Sequence, residues 1–454
     1  MSGRPPRKRV RLRKRRAIAL ALVLVLVAIA IGVLIYKHDR TGSIYHPHAP
    51  FVAQPTPTLK KGPEPFSWPL YGYTENHTRF FPAPETVRPP FKQLWVHNAG
   101  ALLEFPPVIY GDRIFQLADN ANLLAVDRHT GHTMWTHRLG RLSASSPAVT
   151  SNTVYVTLLN GGRSGAPGRV VAVNSSNGAI RWSRRLPSES ESSPLLDHGR
   201  VFFGSQNGTV YALNDRTGAV VWTYHAPGSV KASPSLSGGV LYLGDYSGQV
   251  QAISEQNGHL LWRSGSGGAL LGSGTFYSTA AVLYGRVFLG NTDGRMYAYD
   301  ADTGKLDWAV QTGAYVYASP AVTNAPGLGP TVYFGSYDGN FYALDARTGK
   351  IDWHFDAGGK ISGSATIIGR TVYLADLGQR RIYGLGISTG RKFFQMDTGA
   401  FDPAVSDGHD IYLTGYSGLF GMEPVAAATS APPAPKPSPA RASKPGASGT
   451  RQKR

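Results

Sequence analysis

Short apolar runs separated by polar, glycine-containing turns occupy most of the chain. In one well-marked stretch, residues 210–213 are apolar, residues 214–218 read Asn-Asp-Arg-Thr-Gly, and residues 220–224 are again mostly apolar or aromatic. Two more predicted strands, 192–196 and 201–204, precede them. Runs of this length are typical of β-strands, and Gly218 can adopt the positive φ that a tight turn requires. The pattern therefore predicts a repeat of four antiparallel strands.

Three residue types return at fixed spacing along the chain. An alanine is followed six residues later by a glycine and four residues after that by a tryptophan. A degenerate copy follows at Gly384, Gly390 and Phe394, and successive glycines lie 40 to 47 residues apart. That period indicates a propeller or a solenoid, and four-stranded repeats favour propeller blades. The six full copies are Ala125, Gly131, Trp135; Ala172, Gly178, Trp182; Ala212, Gly218, Trp222; Ala252, Gly258, Trp262; Ala298, Gly304, Trp308; and Ala343, Gly349, Trp353.

An eighth repeat is incomplete at the C-terminal end. It has predicted strands at 402–405, 411–414 and 419–422 but no fourth strand. Residues 91–96, which contain Trp95, look like a fourth strand with nothing before them to pair with. We expect this segment to complete the eighth blade, which closes the ring and leaves no large open edge. The predicted fold is an all-β, eight-bladed β-propeller of four-stranded antiparallel blades over residues 66–424.

The N-terminal segments differ in composition from the repeats. Residues 1–16 hold nine Lys or Arg and no acid, whereas residues 17–36 are uncharged and mostly aliphatic. A helix over 17–36 would span ~30 Å, a bilayer core, and the basic residues before it predict a cytoplasmic N-terminus. We therefore expect a single-pass transmembrane signal anchor in the cell membrane with an extracytoplasmic propeller. A cleaved signal peptide is the alternative. Residues 37–65 are proline-rich and predict a spacer-like linker.

Charge and cysteine content narrow the possible partners. The net charge is +18, but nine basic residues lie in 1–16 and six more in the Ala/Pro-rich tail 425–454. The propeller itself is close to neutral, which argues against a nucleic-acid groove. The tail predicts disorder and a possible contact with anionic envelope polymer or lipid. The chain has no cysteine, so disulfides and lipid attachment at cysteine are excluded.

The Ala, Gly and Trp positions resemble the tryptophan-docking motif of the eight-bladed propellers built from pyrroloquinoline-quinone-type repeats. Residues 65–73 (Pro-Phe-Ser-Trp-Pro-Leu-Tyr-Gly-Tyr) also resemble the lead-in segment of that family. The resemblance covers roughly residues 66–424 and implies the fold. Within this family, the chain resembles both the quinoprotein dehydrogenase propellers and the propeller lipoproteins of the outer-membrane β-barrel assembly machinery. The lipoproteins are attached through a cysteine, which this chain lacks.

No catalytic, cofactor-binding or metal-binding residue set is predicted. The resemblance to quinoproteins implies a funnel-bound quinone with Ca²⁺, an Asp base and commonly a disulfide of adjacent cysteines, and no matching motif is found. The loops that join strands two and three, and each blade to the next, should share one rim. Tyrosines among small polar residues suit such a rim for protein contacts. The candidate rim residues are Tyr246, Tyr337, Tyr416, Tyr315, Tyr317, Asp245, Asn291, Asp293, Asp338 and Lys231.

Three functions are compatible with these features. The favoured one is a non-catalytic scaffold that binds other envelope proteins, since fold alone does not imply catalysis. The first alternative is a quinone-dependent dehydrogenase that uses pyrroloquinoline quinone with Ca²⁺. The second alternative is an envelope sensor or ligand-binding module.

Overall fold

The computed structural model describes residues 17–32, 42–46, 51–53, 65–159, 168–266 and 274–425. Residues 17–32 form an exposed helix, and all the strands lie in the segments 42–46, 65–159, 168–266 and 274–425. None of the helices in these ranges is long and apolar enough to cross a membrane. The predicted transmembrane anchor at 17–36 is therefore not supported. The basic segment 1–16, most of the linker and the tail from residue 426 lie outside the described residues.

The strands of the described residues alternate with tight turns along the whole propeller. They are β1 (Ile44–Tyr45), β2 (Ser67–Trp68), β3 (Phe80–Phe81), β4 (Phe91–Asn98), β5 (Val108–Tyr110), β6 (Arg113–Leu117), β7 (Asn122–Asp127), β8 (Thr133–Arg138), β9 (Ala148–Val149), β10 (Thr153–Leu158), β11 (Arg169–Asn174), β12 (Ile180–Arg185), β13 (Leu195–Asp197), β14 (Arg200–Gly204), β15 (Thr209–Asn214), β16 (Val220–His225), β17 (Ser235–Ser237), β18 (Val240–Gly244), β19 (Gln249–Ser254), β20 (Leu260–Gly265), β21 (Ala281–Leu283), β22 (Arg286–Gly290), β23 (Arg295–Asp300), β24 (Leu306–Gln311), β25 (Ala321–Ala325), β26 (Gly329–Gly335), β27 (Asn340–Asp345), β28 (Ile351–Asp356), β29 (Thr366–Ile368), β30 (Thr371–Asp376), β31 (Arg381–Gly386), β32 (Lys392–Met396), β33 (Ala404–Ser406), β34 (Ile411–Thr414) and β35 (Gly418–Pro424).

Eight antiparallel blades form the ring, as the sequence predicts. Blades 1 to 7 use four consecutive strands each, from β5–β8 through β29–β32. Blade 8 combines β33, β34 and β35 with β4 from the N-terminal side, in seven paired positions from Gly418–Asn98 to Pro424–Phe91. This pairing removes the two edges that an open ring would leave. The core lies between facing blades, as where Val108 and Phe115 of blade 1 meet Val154 and Val171 of blade 2.

Seven tryptophans join neighbouring blades in the same way. Each lies on an outermost strand and packs on the turn glycine of the next blade, so closely that a Cβ on the glycine would lie under 3.0 Å from the indole. Each indole N–H also donates to a carbonyl three residues before that glycine. The bonds are Trp95–Arg128 (2.9 Å), Trp135–Ser175 (3.2 Å), Trp182–Asp215 (2.8 Å), Trp222–Glu255 (2.9 Å), Trp262–Ala301 (2.8 Å), Trp308–Ala346 (3.1 Å) and Trp353–Ile387 (3.1 Å).

The lead-in segment, residues 65–81, runs inside the ring. Strand β2 pairs with the first strand of blade 1, and β3 pairs in parallel with the first strand of blade 7. Between them, carbonyls of the lead-in segment accept hydrogen bonds from the first strands of blades 2, 4, 5 and 6. Examples are Leu236 N–H to Glu75 O (2.8 Å) and Val322 N–H to Thr78 O (2.8 Å). The segment therefore crosses the central channel near the turns that join the first and second strands.

Part of the predicted linker is bound to blade 5. Ile44 and Tyr45 pair with Ala309 and Trp308 of the outermost strand β24. The Phe51 ring stacks on Tyr284 at 5.3 Å. The linker predicted over residues 37–65 therefore contributes a two-residue strand to the edge of blade 5. The prolines of the linker lie outside the two paired residues, so they do not interrupt the ladder.

Candidate functional site

The inner face of the ring forms a funnel between the rim and the lead-in segment. At the start of blades 2 to 7 a serine or threonine follows the inter-blade loop, and neighbouring blades are joined there by hydrogen bonds. Ser233 N–H donates to Thr279 Oγ1 (3.1 Å), Thr279 N–H to Ser319 Oγ (3.0 Å), and Ser319 N–H to Ser364 Oγ (2.9 Å). In blade 8 a carboxylate, Asp402, takes this position and accepts from Ser364 N–H. The inter-blade positions of blades 2 to 8 therefore place six hydroxyl side chains and one carboxylate around the funnel.

Five tyrosines from consecutive loops form a continuous cluster on one side of the funnel, which we name the tyrosine cluster. Its members are Tyr246, Tyr277, Tyr315, Tyr317 and Tyr337. Ring centroids lie 6.4 Å apart for 246 and 277, 5.5 Å for 277 and 317, and 4.9 Å for 317 and 337. Tyr315 contacts both 317 and 337 and is 51% exposed. The cluster thus runs from the funnel interior to the open rim.

Lysines flank the tyrosine cluster at both ends. Lys231 Nζ lies 2.9 Å from Glu191 Oε1 and 5.2 Å from the Tyr246 ring centroid. Lys360 Nζ lies 5.6 Å from the Tyr337 ring centroid. These distances are within the range of cation–π contacts. The ammonium groups thereby hold the outer tyrosines in place and add donors to the rim.

The predicted rim residues divide into three groups: the tyrosines with Lys231, Tyr416, and the acidic and amide residues. Tyr246, Tyr315, Tyr317 and Tyr337 converge with Lys231. Tyr416 lies on the loop of blade 8, where its ring faces the Arg380 guanidinium at 4.2 Å. The cluster contacts come from loops of blades 4, 5 and 6, so Tyr416 belongs to a separate part of the rim.

The acidic and amide members of the predicted rim are turn residues, and two of them are not exposed on the rim. Asp245 and Asn291 are fully buried. Asp245 accepts from Ser247 N–H (2.8 Å) and from Gln251 Nε2 (2.7 Å). Each residue is followed three positions later by the turn glycine, a spacing typical of side chains that cap their own turn.

Asp293 and Asp338 have the same structural role with partial exposure. Asp293 accepts from the Tyr297 hydroxyl and from Arg295 N–H. Asp338 accepts from Gly313 N–H (2.8 Å) and the Tyr342 hydroxyl (2.7 Å). Their carboxylates are satisfied within the fold, so they support the loops that carry the tyrosines.

A buried ion pair lies below the funnel, between the lead-in segment and blade 8. Arg79 Nη2 is 3.6 Å from Asp402 Oδ2, and both side chains are at most 5% exposed. The Arg79 guanidinium lies 3.9 Å from the Tyr71 ring centroid. Burial raises the pKa of Asp402, and Arg79 opposes that shift. Burial, with the charge of Arg79, lowers the pKa of the neighbouring His77 to about 3, so that imidazole is neutral.

Two funnel residues were not among the predicted site residues. Tyr277 joins the two halves of the tyrosine cluster, and Glu104 lines the bottom of the funnel beside Tyr71. Burial raises the pKa of Glu104 to about 7. Tyr277 stands two residues before the hydroxyl position of its blade, as Tyr317 does, so alignment of the repeats could have found it. Glu104 has no such signal, because it lies in the irregular connection before β5.

The funnel does not fit a quinone held with Ca²⁺. The cavity at its bottom is about 50 Å³, far below the ~300–1,000 Å³ of ordinary cofactor pockets. Ca²⁺ needs ~6–8 oxygen ligands, yet Glu191 is paired with Lys231 and Asp402 with Arg79. Among the described residues, the cluster that could hold a metal ion is Asp197, His198 and Glu255. It lies in turns on the opposite face of the ring.

Comparison with protein families identifies one matching family model. The model is described as "Outer membrane protein assembly factor BamB", and it matches residues 92–164, 119–269 and 246–420. Curated relatives with this name include the Moranella endobia protein, 28% identical over 106 residues, and the Escherichia coli (strain K12) protein, 30% identical over 106 residues. Each alignment covers 23% of this chain and 25% of the relative. The chain thus matches about a quarter of the length of these relatives.

Solved structures with the same fold come from two functional classes. BamB from Moraxella catarrhalis superposes with a TM-score of 0.60 at 18% identity, covering 74% of this chain and 100% of that chain. The quinohemoprotein alcohol dehydrogenase of Pseudomonas putida superposes with a TM-score of 0.67 at 14% identity, covering 83% and 82%. At these identities the likeness establishes the fold alone.

Proposed function

Because the chain belongs to the outer membrane protein assembly factor BamB family, we propose that its propeller is a non-catalytic scaffold that binds other proteins of the cell envelope. The family assignment spans the blades from β4 to β35, so it concerns the propeller as a whole. The name of the relatives describes assembly of outer membrane proteins, and a scaffold role follows from that description. The contact surface of this chain must come from its own loops.

The tyrosine cluster is the observation that carries the proposal. Its rings extend from the largely buried Tyr277 to the exposed Tyr315. Tyrosine offers a rigid apolar ring and a polar hydroxyl at a low cost in conformational entropy. Aromatic residues of this kind are enriched where protein interfaces are most strongly held. The flanking Lys231 and Lys360 would supply the polar border of such an interface.

Site-specific photocrosslinking tests the proposal in the full-length protein. A photoreactive amino acid at Tyr315 should form defined adducts with envelope proteins in cells. The matched control is Lys305, which is also exposed but lies in the turn of blade 5 on the opposite face. Adducts at 315 that disappear in a Tyr317→Ala, Tyr337→Ala background support the tyrosine cluster. Equal adducts at 305 and 315, or none at either, would contradict it.

The alternative function is that of a quinone-dependent dehydrogenase, the class to which the similar Pseudomonas putida structure belongs. The small cavity and the paired carboxylates do not fit that chemistry. Calorimetric titration with pyrroloquinoline quinone and Ca²⁺ decides between the two functions. Saturable, Ca²⁺-dependent quinone binding would overturn the non-catalytic assignment.

A further inference from the structure

The cavity at the bottom of the funnel lies beneath the tyrosine cluster and shares Tyr277 and Tyr317 with it. It has a volume of about 50 Å³, which is room for a few water-sized groups. Glu104, Tyr277 and Tyr317 line it together with hydroxyls of the inter-blade positions. The lead-in segment crosses the channel on the far side, with Tyr71 facing the cavity. A group that reaches this cavity would enter from the rim.

Among the charged side chains of the described residues that line the cavity, Glu104 is the one without an ion-pair partner. The other charged groups that line it have partners: Lys231 Nζ lies 2.9 Å from Glu191, and Asp402 faces Arg79 at 3.6 Å. Within the described part of the chain, the Glu104 carboxylate has neither a hydrogen bond nor an ion pair. A partly buried carboxylate without a partner is costly. The site is therefore complementary to a cation that donates hydrogen bonds.

The surroundings of Glu104 suit a long basic side chain. The Tyr277 and Tyr317 rings line the cavity and meet edge to face, with centroids 5.5 Å apart, and aromatic rings of this kind attract cations. The aliphatic stem of lysine or arginine packs well along aromatic rings while its charged end reaches a polar site. The cavity is large enough for an ammonium or guanidinium end and too small for a folded segment. An anion would be repelled by Glu104.

We infer that the funnel receives a lysine or arginine side chain of a protein partner, with Glu104 as its counter-ion. The inference rests on the proposed function, because the rim must hold the protein that presents the side chain. It adds a chemical requirement to that function: the partner carries an exposed basic residue at the centre of its contact surface.

The charged groups around Glu104 make this binding depend on pH. Burial, together with the charges of Glu191, Asp402 and Asp119, raises the pKa of Glu104 to about 7, and Lys231 opposes that shift. The tyrosines that face it stay neutral, since burial raises the pKa of Tyr71 to about 12 and also raises the pKa values of Tyr277 and Tyr317. A cation binds the ionised carboxylate. Affinity should therefore increase as pH rises through about 7.

Titration of the full chain with two blocked tripeptides tests the inference. The probe is Gly-Lys-Gly, and the matched control is Gly-norleucine-Gly, which keeps the stem without the charge. We expect saturable binding of the lysine peptide, weakened by about tenfold or more on removal of either charge, in the norleucine peptide or in Glu104→Gln. Wild-type affinity should rise several-fold from about pH 6 to about pH 8, and the variant should show no such rise. Glu85→Gln, whose carboxylate is exposed and pairs with Arg370, should behave as wild type.

Equal binding of the two peptides, or binding that Glu104→Gln leaves unchanged, overturns the inference. The pH profile needs no variant, so it remains decisive if Glu104→Gln folds poorly: a flat wild-type profile also overturns it. Crosslinks at Tyr315 without lysine-selective binding would remove this inference and leave the scaffold proposal standing. Lysine-selective, Glu104-dependent binding without crosslinks would support the cation site and remove the rim as the contact surface.

Discussion

Seven junctions between blades are built alike, whereas the junction between blades 7 and 8 is built differently. In the seven, an indole covers the turn glycine of the next blade and donates to a turn carbonyl. At the eighth, Phe394 occupies the tryptophan position and packs edge-to-face on Phe91 at 5.4 Å. Both kinds of junction bury the flank of a blade. The seven use an indole with a hydrogen bond, and the eighth uses two phenyl rings without one.

The reason for the difference is the ring closure. The turn that would receive an indole in blade 8 does not exist, because its third and fourth strands, β35 and β4, come from opposite ends of the propeller. An indole N–H would lack the turn carbonyl, and a buried donor without a partner is unfavourable. Phenylalanine keeps the apolar contact and has no donor to satisfy.

The inner edge of the closing junction shows a second substitution. Where blades 2, 3, 4, 6 and 7 carry a serine and blade 5 a threonine, blade 8 carries Asp402, which binds Arg79 of the lead-in segment. Strand β3 adds to blade 7 next to this pair. The lead-in segment therefore reinforces the junction that lacks a tryptophan. The repeats provide the same tryptophan contact at seven junctions, whereas the junction between blades 7 and 8 is stabilised by residues of the lead-in segment, which lies outside the repeats.

The largest expected effect compares the two junction types directly. Trp308→Ala removes a fully buried indole and its hydrogen bond, and we expect a loss of about 4–5 kcal/mol in the free energy of unfolding. The partly exposed Phe394→Leu should cost less than about 1.5 kcal/mol. Chemical denaturation of both variants measures the difference. Equal losses in the free energy of unfolding would show that the junction between blades 7 and 8 depends on its aromatic side chain as strongly as the tryptophan junctions do.

The next effect concerns the ion pair at the closure. Asp402→Ser restores the residue of the other blades but leaves Arg79 buried without its counter-ion, at an expected cost of about 3–4 kcal/mol. Adding Arg79→Met should recover most of that loss, since an apolar replacement of a buried pair is often neutral. A double-mutant cycle tests the coupling. Additive losses would mean that the two side chains act independently.

A smaller effect tests how tightly the docked junctions are packed. Gly218 has a φ of 68°, and an added Cβ would lie 2.6 Å from the Trp182 ring. Gly218→Ala should therefore destabilise the fold by about 2 kcal/mol. Gly238→Ala is the control, because Gly238 has a similar φ of 59° and no atom within 4 Å of its Cβ position. If both substitutions lower the free energy of unfolding by similar amounts, the positive φ alone explains the loss, and the contact with the indole contributes nothing.

The smallest effect is a pH dependence located in the funnel. The folded-state pKa of Glu104 is raised from 4.5 to about 7, so its contribution to stability is complete below the unfolded pKa and is lost as pH rises through about 7. Wild type should lose about 1–2 kcal/mol relative to Glu104→Gln between about pH 4.5 and 8. Thermal unfolding across this range measures it. Parallel profiles would show that the carboxylate is well solvated.

The sequence by itself determined the blade, the number of blades and the closing strand. These depend on local spacing: the glycine and tryptophan positions recur because every blade repeats the same turn and the same contact with its neighbour. Even the fourth strand of blade 8 could be inferred, because residues 91–96 and the incomplete last repeat each lack what the other supplies. The helix at 17–32 was also foreseen, although its assignment as a membrane span is not supported.

Only the tertiary structure decided which residues meet inside the ring. Arg79 and Asp402 lie 323 positions apart and belong to different structural units, so no local pattern connects them. Asp245 resembles a surface residue in sequence, yet loop packing buries it. Glu104 becomes a candidate counter-ion for a bound cation only because blades 3 to 8 bring their loops around it. Closure of the ring creates these neighbours, and ring closure is a property of the whole fold.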